Sequence, residues 1–411
     1  MAQRALILVE GHTRIGFLYV KAARSLGLHP ITLSASPAQY DYLAAEGSEA
    51  IRVDTDDLDA LIQECSRLGA SYDIAGVTGF AGDDESIYAT VGKLCQSFNL
   101  PGPNPASVER CCNKFIQRQI LAQAGIPIPD YRLAANSVEI ESAAVDIGLP
   151  VVLKPILGSG SIGVRLCHSV DDLAGHAKYL LRANQHLRRS SPRTLVEEFA
   201  DGPHYAVDLM GDEVIGIAAG KFGPPPHFVF HEYTHPAPLN DEVYKRIADV
   251  SLSCLRALDL GWGPTNIEFR LTKRGPVVIE VNPRLAGGPN PRLVQLAYGV
   301  DLVTEHIKLV IGEDWDLHKR CSHAAGARFL VPDRDGTLDW ITGDRHAVAV
   351  PGVAEVELYV KPKTLIALKG DYRDRVGHVI AVSPALAQTQ EILERAVNMI
   401  SFSISPFPAI G

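Results

Sequence analysis

The chain has 411 residues, too many for a single hydrophobic core, so two or three domains are expected. Its formal net charge of −9 at pH 7 argues against a nucleic-acid-binding protein, which would need a basic surface. No apolar run approaches the roughly 20 residues that cross a bilayer, and Arg4 interrupts any secretory signal. The seven cysteines lack metal-ligand spacing and are typical of reduced thiols. We therefore expect a cytoplasmic protein that binds neither nucleic acid nor membrane.

Residues 4 to 105 alternate between strand and helix patterns. The predicted strands are 5–9, 30–33 and 73–78, and the helix between the first two is 16–26, closed by Gly27. Strands that alternate with helices predict a parallel, Rossmann-like sheet with right-handed crossovers. The proline-rich segment 100–105 marks the end of this domain, which we place at residues 1–106.

Two loops of this domain follow strands at their C-terminal ends, where such sheets place ligands. The segment Gly11–Gly16 resembles a nucleotide-fingerprint turn but lacks the G-x-G-x-x-G pattern, so a tight turn lining a substrate cleft is expected. In the second loop, Glu85 is a candidate for binding a substrate ammonium group. The alternative is that Asp83 and Asp84 cap the N-terminus of a helix there.

The next segment carries lysines and glycines that suit a triphosphate. One helix is predicted over 107–124 and contains Lys114, and a strand over 149–155 contains Lys154 near its end. The loop that follows is built of small residues, namely Gly158, Ser159, Gly160, Ser161 and Gly163. Small residues let backbone N–H groups approach phosphate oxygens, and a lysine adds a mobile charge. The loop is not a Walker A sequence. A plain hairpin would need fewer glycines, so we predict a flexible lid over about 130–200.

A pair of predicted strands further along carries two carboxylates. Alternation along the second strand puts Glu280, Asn282 and Arg284 on one face, and Pro283 predicts that the strand leaves its sheet there. Pairing across the turn could bring Glu268 close to Glu280. Adjacent carboxylates repel unless a cation lies between them, and magnesium is held by carboxylates together with substrate phosphates. The alternative is a solvated hairpin with scattered charges.

In their order along the chain, these elements resemble the ATP-grasp superfamily, and the resemblance covers most of the chain. The matching motifs are Lys114, Val-Leu-Lys-Pro (152–155), the glycine-rich loop, Val-Glu-Glu-Phe (196–199), Asn-Ile-Glu-Phe-Arg (266–270) and Glu-Val-Asn-Pro-Arg (280–284). The resemblance implies a mixed α/β and α+β fold. After the Rossmann-like domain, we expect an ATP-grasp domain over 107–312 with its mobile lid, and a small α+β domain over 313–411.

The resemblance also implies roles for individual residues. The implied ATP-binding residues are Lys114, Lys154, Gly158, Ser159, Gly160, Ser161, Gly163, Glu197, Glu198, Phe199 and Ala200. His204 stands where many relatives have a ribose-binding glutamate, and an imidazole can still hydrogen-bond a ribose hydroxyl. Glu268, Glu280 and Asn282 would coordinate magnesium, usually two ions in this family. Lys154 and Arg284 would be catalytic, with Arg284 stabilising an acyl-phosphate and its anionic transition state.

Within the superfamily, the segments 282–288, 296–302, 327–330, 351–356 and 375–381 resemble the L-amino-acid ligases, which join two amino acids into a dipeptide. The implied substrate-binding residues are Glu85, His231, His235, Arg284, Gly287, Gly288 and Arg328. The planar guanidinium of Arg328 could bind a carboxylate through two hydrogen bonds. An ordinary strand-edge arginine is the alternative, and structural roles remain open for both histidines.

The implied reaction is an ATP-dependent carboxylate–amine ligation. Phosphorylation of a carboxylate gives an acyl-phosphate that an amine can attack, so the protein contributes positioning and charge neutralisation. The expected partners are small amino-acid substrates, and a homodimer is the assembly to test. Three alternatives remain: an ATP-grasp carboxylase that activates bicarbonate, a ligase for another carboxylate or amine, and a nucleotide-binding regulatory protein without catalysis.

Overall fold

The computed structural model describes residues 2–80, 85–183 and 193–407. Strands within these ranges form four sheets: a four-stranded N-terminal sheet, a second four-stranded sheet, an eight-stranded sheet and a three-stranded sheet near the C-terminus. The first is parallel and the other three are antiparallel. The predicted mixture of α/β and α+β organisation is therefore confirmed.

The N-terminal sheet has the strand order β3-β2-β1-β4. Its strands are β1 (Gln3–Val9), β2 (His29–Ser34), β3 (Glu49–Arg52) and β4 (Tyr72–Gly79). The accompanying helices are α1 (Gly16–Ser25), α2 (Asp41–Ala45), α3 (Leu58–Gly69) and α4 (Ile87–Ser97), and a 3-10 turn covers Pro37–Gln39. Along β1, Leu6 and Leu8 pack into one core cluster and Ile7 into another, because helices cover both faces of the sheet. The predicted parallel sheet is confirmed.

The helix predicted over 107–124 is two helices, so that prediction is wrong. They are α5 (Pro105–Cys112) and α6 (Lys114–Gln123), separated by Asn113. The Asn113 side chain accepts hydrogen bonds from the backbone N–H groups of Phe115 at 3.1 Å and Ile116 at 3.2 Å. Asparagine competes for backbone donors in this way, which favours a helix start over a helix interior. Lys114 therefore begins a helix instead of lying in the middle of one.

The second sheet, with strand order β5-β8-β6-β7, forms the body of the predicted lid. Its elements are β5 (Tyr131–Ala134), α7 (Ser137–Ile147), β6 (Val151–Pro155), β7 (Arg165–Cys167), α8 (Val170–Ala183) and β8 (Thr194–Glu198). Val151, Leu153 and Val196 belong to a core cluster of this region alone. A separate core allows the region to move as one unit, and its mobility stays a prediction. Within the predicted lid, 184–192 lie outside the described residues, as do Asp83 and Asp84 of the predicted helix cap.

The remaining elements build the other two sheets. In chain order they are β9 (His204–Met210), β10 (Glu213–Phe222), β11 (Phe230–His235), α9 (Asp241–Leu258), β12 (Pro264–Thr272), β13 (Gly275–Asn282), α10 (Asn290–Tyr298), α11 (Leu302–Val310), β14 (Ala324–Leu330), β15 (Gly336–Thr342), α12 (Asp344–Val348), β16 (Val353–Leu358), β17 (Leu365–Ile366), β18 (Gly377–Ser383), α13 (Leu386–Val397) and β19 (Ser401–Ser405). A 3-10 turn at Tyr372–Asp374 precedes β18.

The eight-stranded sheet has the order β13-β12-β9-β10-β11-β14-β18-β16. Its last three strands come from the segment predicted as a separate C-terminal domain, and β14 pairs directly with β11. One continuous sheet therefore joins the central and C-terminal regions. Part of the C-terminal region also packs around its own core, which includes Leu338, Val379 and Leu393, and carries the small sheet β17-β15-β19.

The hairpin of β12 and β13 has the predicted register. Glu268 lies directly opposite Glu280, and Asn266 lies opposite Asn282. Residues paired across antiparallel strands project from the same face, so the two carboxylates are neighbours. The strand ends at Asn282, immediately before Pro283, as its missing backbone N–H predicts.

Among the described residues, none of the helices has both the length and the apolar composition that crossing a bilayer requires.

The cap at Asn113 can be tested by replacing it with alanine. Asn113→Ala should lower the free energy of unfolding by about 1 kcal/mol, because α6 loses its N-terminal cap. Since Lys114 is the next residue, the variant should also weaken the nucleotide binding predicted there. Asn240→Ala is a matched control, because Asn240 caps α9 by accepting from the Val243 N–H at 2.8 Å. Chemical denaturation and nucleotide titration should show equal stability losses but weaker binding only in Asn113→Ala; equal affinities would contradict this role.

Candidate active site

A cleft of about 500 Å³ lies between the lid, the eight-stranded sheet, the turn after β1 and the segment before β18. Lys154 lines it from the lid, Glu268 and Glu280 from the sheet, Arg14 from the turn and Arg375 from the C-terminal segment. Small-molecule sites usually measure about 300–1,000 Å³. The cleft is therefore large enough for a small ligand or cofactor, and four parts of the chain contribute to it.

Lys154, in β6, is fixed in the cleft wall by a buried ion-pair cluster. Its Nζ lies 2.5 Å from Oε2 of Glu197, and Nε of Arg118 donates to the other oxygen of Glu197 at 2.7 Å. All three side chains are buried. Burial alone would raise the pKa of Glu197, but the cations of Arg118 and Lys154 outweigh it and lower that pKa. The Lys154 ammonium is thus positioned before any phosphate arrives.

Lys114 connects the glycine-rich loop to the carboxylate hairpin. Its Nζ lies 2.8 Å from Oε1 of Glu280 and donates a hydrogen bond to the carbonyl oxygen of Gly158. Burial would lower the pKa of Lys114, but the carboxylates of Glu280 and Glu85 raise it. A charged lysine therefore faces both the loop and the hairpin.

The glycine-rich loop adopts backbone conformations that favour glycine. The φ angles are 105° at Gly158, 66° at Gly160 and 70° at Gly163. A Cβ atom on Gly160 would lie 2.4 Å from the Tyr372 ring, and the Tyr372 N–H donates to the Gly160 carbonyl at 3.3 Å. The loop, which also contains Ser159 and Ser161, is therefore in close contact with the C-terminal segment.

The carboxylates of the hairpin suit a hard divalent cation. Glu268 and Glu280 line the cleft side by side, and Asn282 follows on the same face. Burial would raise the pKa of Glu280, but the charges of Lys114 and Lys154 lower it, so the carboxylate is ionised as a metal ligand must be. Two carboxylates and an amide oxygen are donors that magnesium accepts. The residues present fit magnesium.

His204 lines the cleft and also contacts Glu268. Its Nε2 lies 3.2 Å from Oε2 of Glu268, and its ring makes edge contacts with Phe222 and Phe230. Burial lowers the pKa of His204, although Glu268 acts in the opposite direction. The imidazole therefore orients a predicted metal ligand, and its ring nitrogen Nε2 is engaged there. The contact of His204 with ribose stays a prediction.

Aromatic side chains form one wall of the cleft. Phe222, Phe228 and Phe230 line it together with Glu198, Phe199 and Ala200, which the family resemblance assigned to ATP binding. The Arg270 guanidinium lies 4.8 Å from the Phe222 ring centre. Flat apolar walls of this kind suit a purine ring. Sequence reasoning assigned no role to Phe222 or Arg270, although Arg270 ends the quoted motif Asn-Ile-Glu-Phe-Arg (266–270).

Comparison with known proteins identifies the fold. The family model for the ATP-grasp domain matches residues 147–291, and that for the L-amino acid ligase C-terminal domain 2 matches residues 328–405. An uncharacterized protein of Sinorhizobium fredii is 61% identical over 405 residues, which is 98% of this chain and 84% of that protein. The chain belongs to the ATP-grasp superfamily. It also resembles the L-amino-acid ligases: the L-arginine-specific L-amino acid ligase of Bacillus subtilis is 25% identical over 73% of this chain and 72% of its own length.

Solved structures confirm the ATP-grasp fold. The L-amino acid ligase from Bacillus licheniformis superimposes with a TM-score of 0.81 at 18% identity, covering 98% of this chain and 100% of that one. Biotin carboxylase from Campylobacter jejuni has a TM-score of 0.72 at 17% identity, covering 99% and 93%. ATP-grasp enzymes use ATP and magnesium, and the cleft has residues that fit both. The family supports an ATP-dependent ligase.

Two residues of the predicted substrate site pair with each other. Arg284 lines the cleft, and its partner Glu85 lies behind it, outside the cleft lining. Nε and Nη2 of Arg284 both lie 2.6 Å from Oε1 of Glu85, and Nη1 donates to the carbonyl oxygen of Leu285 at 3.1 Å. Glu85 is only 6% exposed. Gly287 and Gly288 line the cleft beside this pair. The structure thus brings four predicted substrate residues together.

Three other predicted substrate residues lie outside the cleft lining. Arg328 donates to Oε2 of Glu232 at 2.7 Å. Glu232 lies opposite Arg328 in the sheet, and the next residue, Tyr233, lines the cleft. Successive residues of a strand point to opposite faces, so Arg328 and Glu232 lie on the face away from the cleft. His235 is fully buried and lies 2.8 Å from Oδ1 of Asn290, and His231 is absent from the cleft wall in the described part of the chain. The structure does not place these three side chains in the cleft lining, and Arg328 and His235 have partners within the fold.

Other cleft residues that were not predicted as site residues include Arg14, Tyr233, Tyr372 and Arg375. Arg14 was part of a predicted cleft-lining turn, and Arg375 lies in a stretch that resembles the ligase C-terminal domain. No local pattern distinguished either arginine from others, because each reaches the cleft only after distant segments have packed together.

The Glu197 cluster makes a stability prediction. Glu197→Gln should lower the free energy of unfolding by about 3–5 kcal/mol, since it leaves the fully buried Arg118 without its carboxylate. Glu198→Gln is a matched control at the next position, because Glu198 pairs with the exposed Arg274 and should change stability little. Urea denaturation measures both, and comparable losses in the two variants would contradict the proposed importance of the buried cluster.

Proposed function

We propose that the protein is an ATP-dependent carboxylate–amine ligase that joins two amino acids into a dipeptide through an acyl-phosphate, with release of ADP and phosphate. The observation that carries this proposal is the Arg284–Glu85 ion pair beside the Glu280 carboxylate. An α-amino acid has a carboxylate and an ammonium group on neighbouring atoms. It can therefore replace one internal ion pair with two, one to Arg284 and one to Glu85.

The proposed chemistry assigns a task to each part of the cleft. Lys114 and Lys154 hold the phosphates of ATP under the glycine-rich loop, and the aromatic wall holds the base. Arg284 orients the substrate carboxylate so that one of its oxygens can bond to the γ-phosphorus while the bond to ADP breaks. The amine then attacks the acyl carbon, and phosphate leaves. Contact between the loop and Tyr372 helps to exclude water from the acyl-phosphate.

Magnesium, when bound, would neutralise charge on the phosphates. Glu268, Glu280 and Asn282 are the residues that would hold it. We propose that two ions bind. A single magnesium ion that also carries several phosphate oxygens needs only one or two protein carboxylates, and this site has two carboxylates and an amide. His204 would support the site by fixing the orientation of Glu268.

Carboxylation of a substrate by activated bicarbonate is the second candidate, because biotin carboxylase shares the fold. Bicarbonate has no ammonium group, however, and would leave Glu85 without a task. The C-terminal match to L-amino acid ligases also supports dipeptide formation. The deciding assay measures ADP release with pools of amino acids or with bicarbonate and an acceptor amine, and identifies products by mass. ADP release that depends on bicarbonate and not on amino acids would refute the dipeptide ligase.

Glu280→Ala should abolish ADP formation while leaving the fold intact. The change removes a proposed magnesium ligand and the partner of Lys114, so charge that develops on the transferred phosphoryl group is not compensated. Circular dichroism checks the fold, and manganese binding followed by electron paramagnetic resonance checks the metal site directly. Normal turnover and normal manganese affinity in this variant would overturn the assignment.

Arg284→Lys should bind ATP nearly normally but form little dipeptide. A lysine retains the charge but lacks the planar pair of donors, and loss of one such donor costs about 10²–10³ in rate. ATP affinity and product yield are measured on the same preparation. A near-normal yield would show that the two-donor geometry is unnecessary and would leave Arg284 as a structural partner of Glu85.

A further inference from the structure

Arg14 and Arg375 face the cleft without an acidic partner. Arg14 comes from the turn after β1, and its Cζ lies 3.7 Å above the Tyr359 ring centre. Arg375 follows the 3-10 turn before β18, and its Cζ lies 4.0 Å above the Phe329 ring centre. Aromatic faces hold both guanidinium groups in fixed positions while leaving their N–H donors available.

The absence of a carboxylate partner distinguishes these arginines from Lys114, Lys154 and Arg284. Arg270 also lines the cleft, but it donates to the carbonyl oxygen of Gly202 at 2.8 Å. Within 2–80, 85–183 and 193–407, neither side chain forms an ion pair, and the Nε of Arg375 is buried without a hydrogen-bond partner. Lys114, Lys154 and Arg284, by contrast, each have a glutamate within 2.8 Å. A buried donor on a charged group is costly unless it is satisfied. The pair therefore points to an anionic group on a ligand.

The arginine pair lies next to the reaction centre. The ring centres of Phe230 and Tyr233 are 4.4 Å apart. The ring centre of Tyr233 is 6.3 Å from that of Phe329, on which Arg375 stacks. Burial raises the pKa of Tyr233, and the charges of Arg375 and Arg284 both act on this phenol. Burial likewise lowers the pKa of His12 to about 4, with contributions from Arg14 and Arg284. Tyr233 and His12 both line the cleft, as do the unpaired arginines and Arg284.

We propose that Arg375 and Arg14 bind the free carboxylate of the amine-donating amino acid. This inference rests on the proposed ligase function and names the substrate class of its second subsite. Arg284 orients the carboxylate that is activated, and this carboxylate loses its charge when it is phosphorylated. The carboxylate of the amine donor stays ionised through the reaction and in the product, so it needs its own cations. ATP phosphates are already assigned to Lys114 and Lys154.

The test compares amine donors with and without a carboxylate. Steady-state ADP release is measured with the protein amino acids as donors and with the corresponding amino-acid amides. The unaltered enzyme should prefer the free acids. In Arg375→Gln, the KM for acids should rise about 10- to 100-fold, as loss of charge-assisted hydrogen bonds predicts, while the KM for amides stays the same. Arg14→Gln, on a different element, should reduce the same preference.

The controls separate this inference from folding and from the proposed function. Arg328→Gln removes an arginine outside the cleft and should leave the preference for acids unchanged. Thermal unfolding identifies any variant that fails to fold, and Arg14→Gln then decides the question. Calorimetric binding of acids and amides in the presence of a non-hydrolysable ATP analogue tests the subsite without turnover. An unchanged preference in both variants overturns the subsite, whereas the absence of ADP release with every amino-acid pair overturns the ligase itself.

Discussion

The ion-pair cluster at Glu197 holds the cleft together. Glu197 lies on lid strand β8, Lys154 on lid strand β6 and Arg118 on α6, and Arg118 also donates to the carbonyl oxygen of Ile279 in the carboxylate hairpin. One buried glutamate thus positions a phosphate-facing lysine and connects the lid to the sheet. Because all three side chains are buried, loss of Glu197 would leave two cations without a carboxylate.

The other charged residues of the cleft form pairs that ligands can exchange. Lys114 pairs with Glu280, and Arg284 pairs with Glu85, in positions where phosphates, magnesium and an amino acid are proposed to bind. Such pairs hold each charged side chain in position when no ligand is bound. A charged group of a ligand can then replace the internal partner. The enzyme then needs little rearrangement of its dipoles during the reaction, which is the basis of electrostatic catalysis.

Continuity of the eight-stranded sheet explains how a distant segment reaches the same cleft. Since β14 pairs with β11, the C-terminal strands extend the sheet that carries Glu268 and Glu280. The contact of Tyr372 with Gly160 then brings the segment that carries Arg375 to the lid loop. A C-terminal region fused to the sheet in this way can shape a substrate subsite, which an independent domain on a flexible linker could not do with the same precision.

The sequence by itself determined the features that depend on neighbouring residues. Alternation along a strand and a short turn placed Glu268 opposite Glu280, and the strand–helix alternation predicted the parallel sheet. Only the tertiary structure decided which partner each polar side chain finds. In the folded chain, Arg328 donates to Glu232, His204 contacts Glu268, and Arg375 faces the cleft. Arg328 and Glu232 are 96 residues apart in the chain, and His204 and Glu268 are 64 apart. Contacts between such distant segments, and the face of a shared sheet that a side chain occupies, leave no local pattern in the chain.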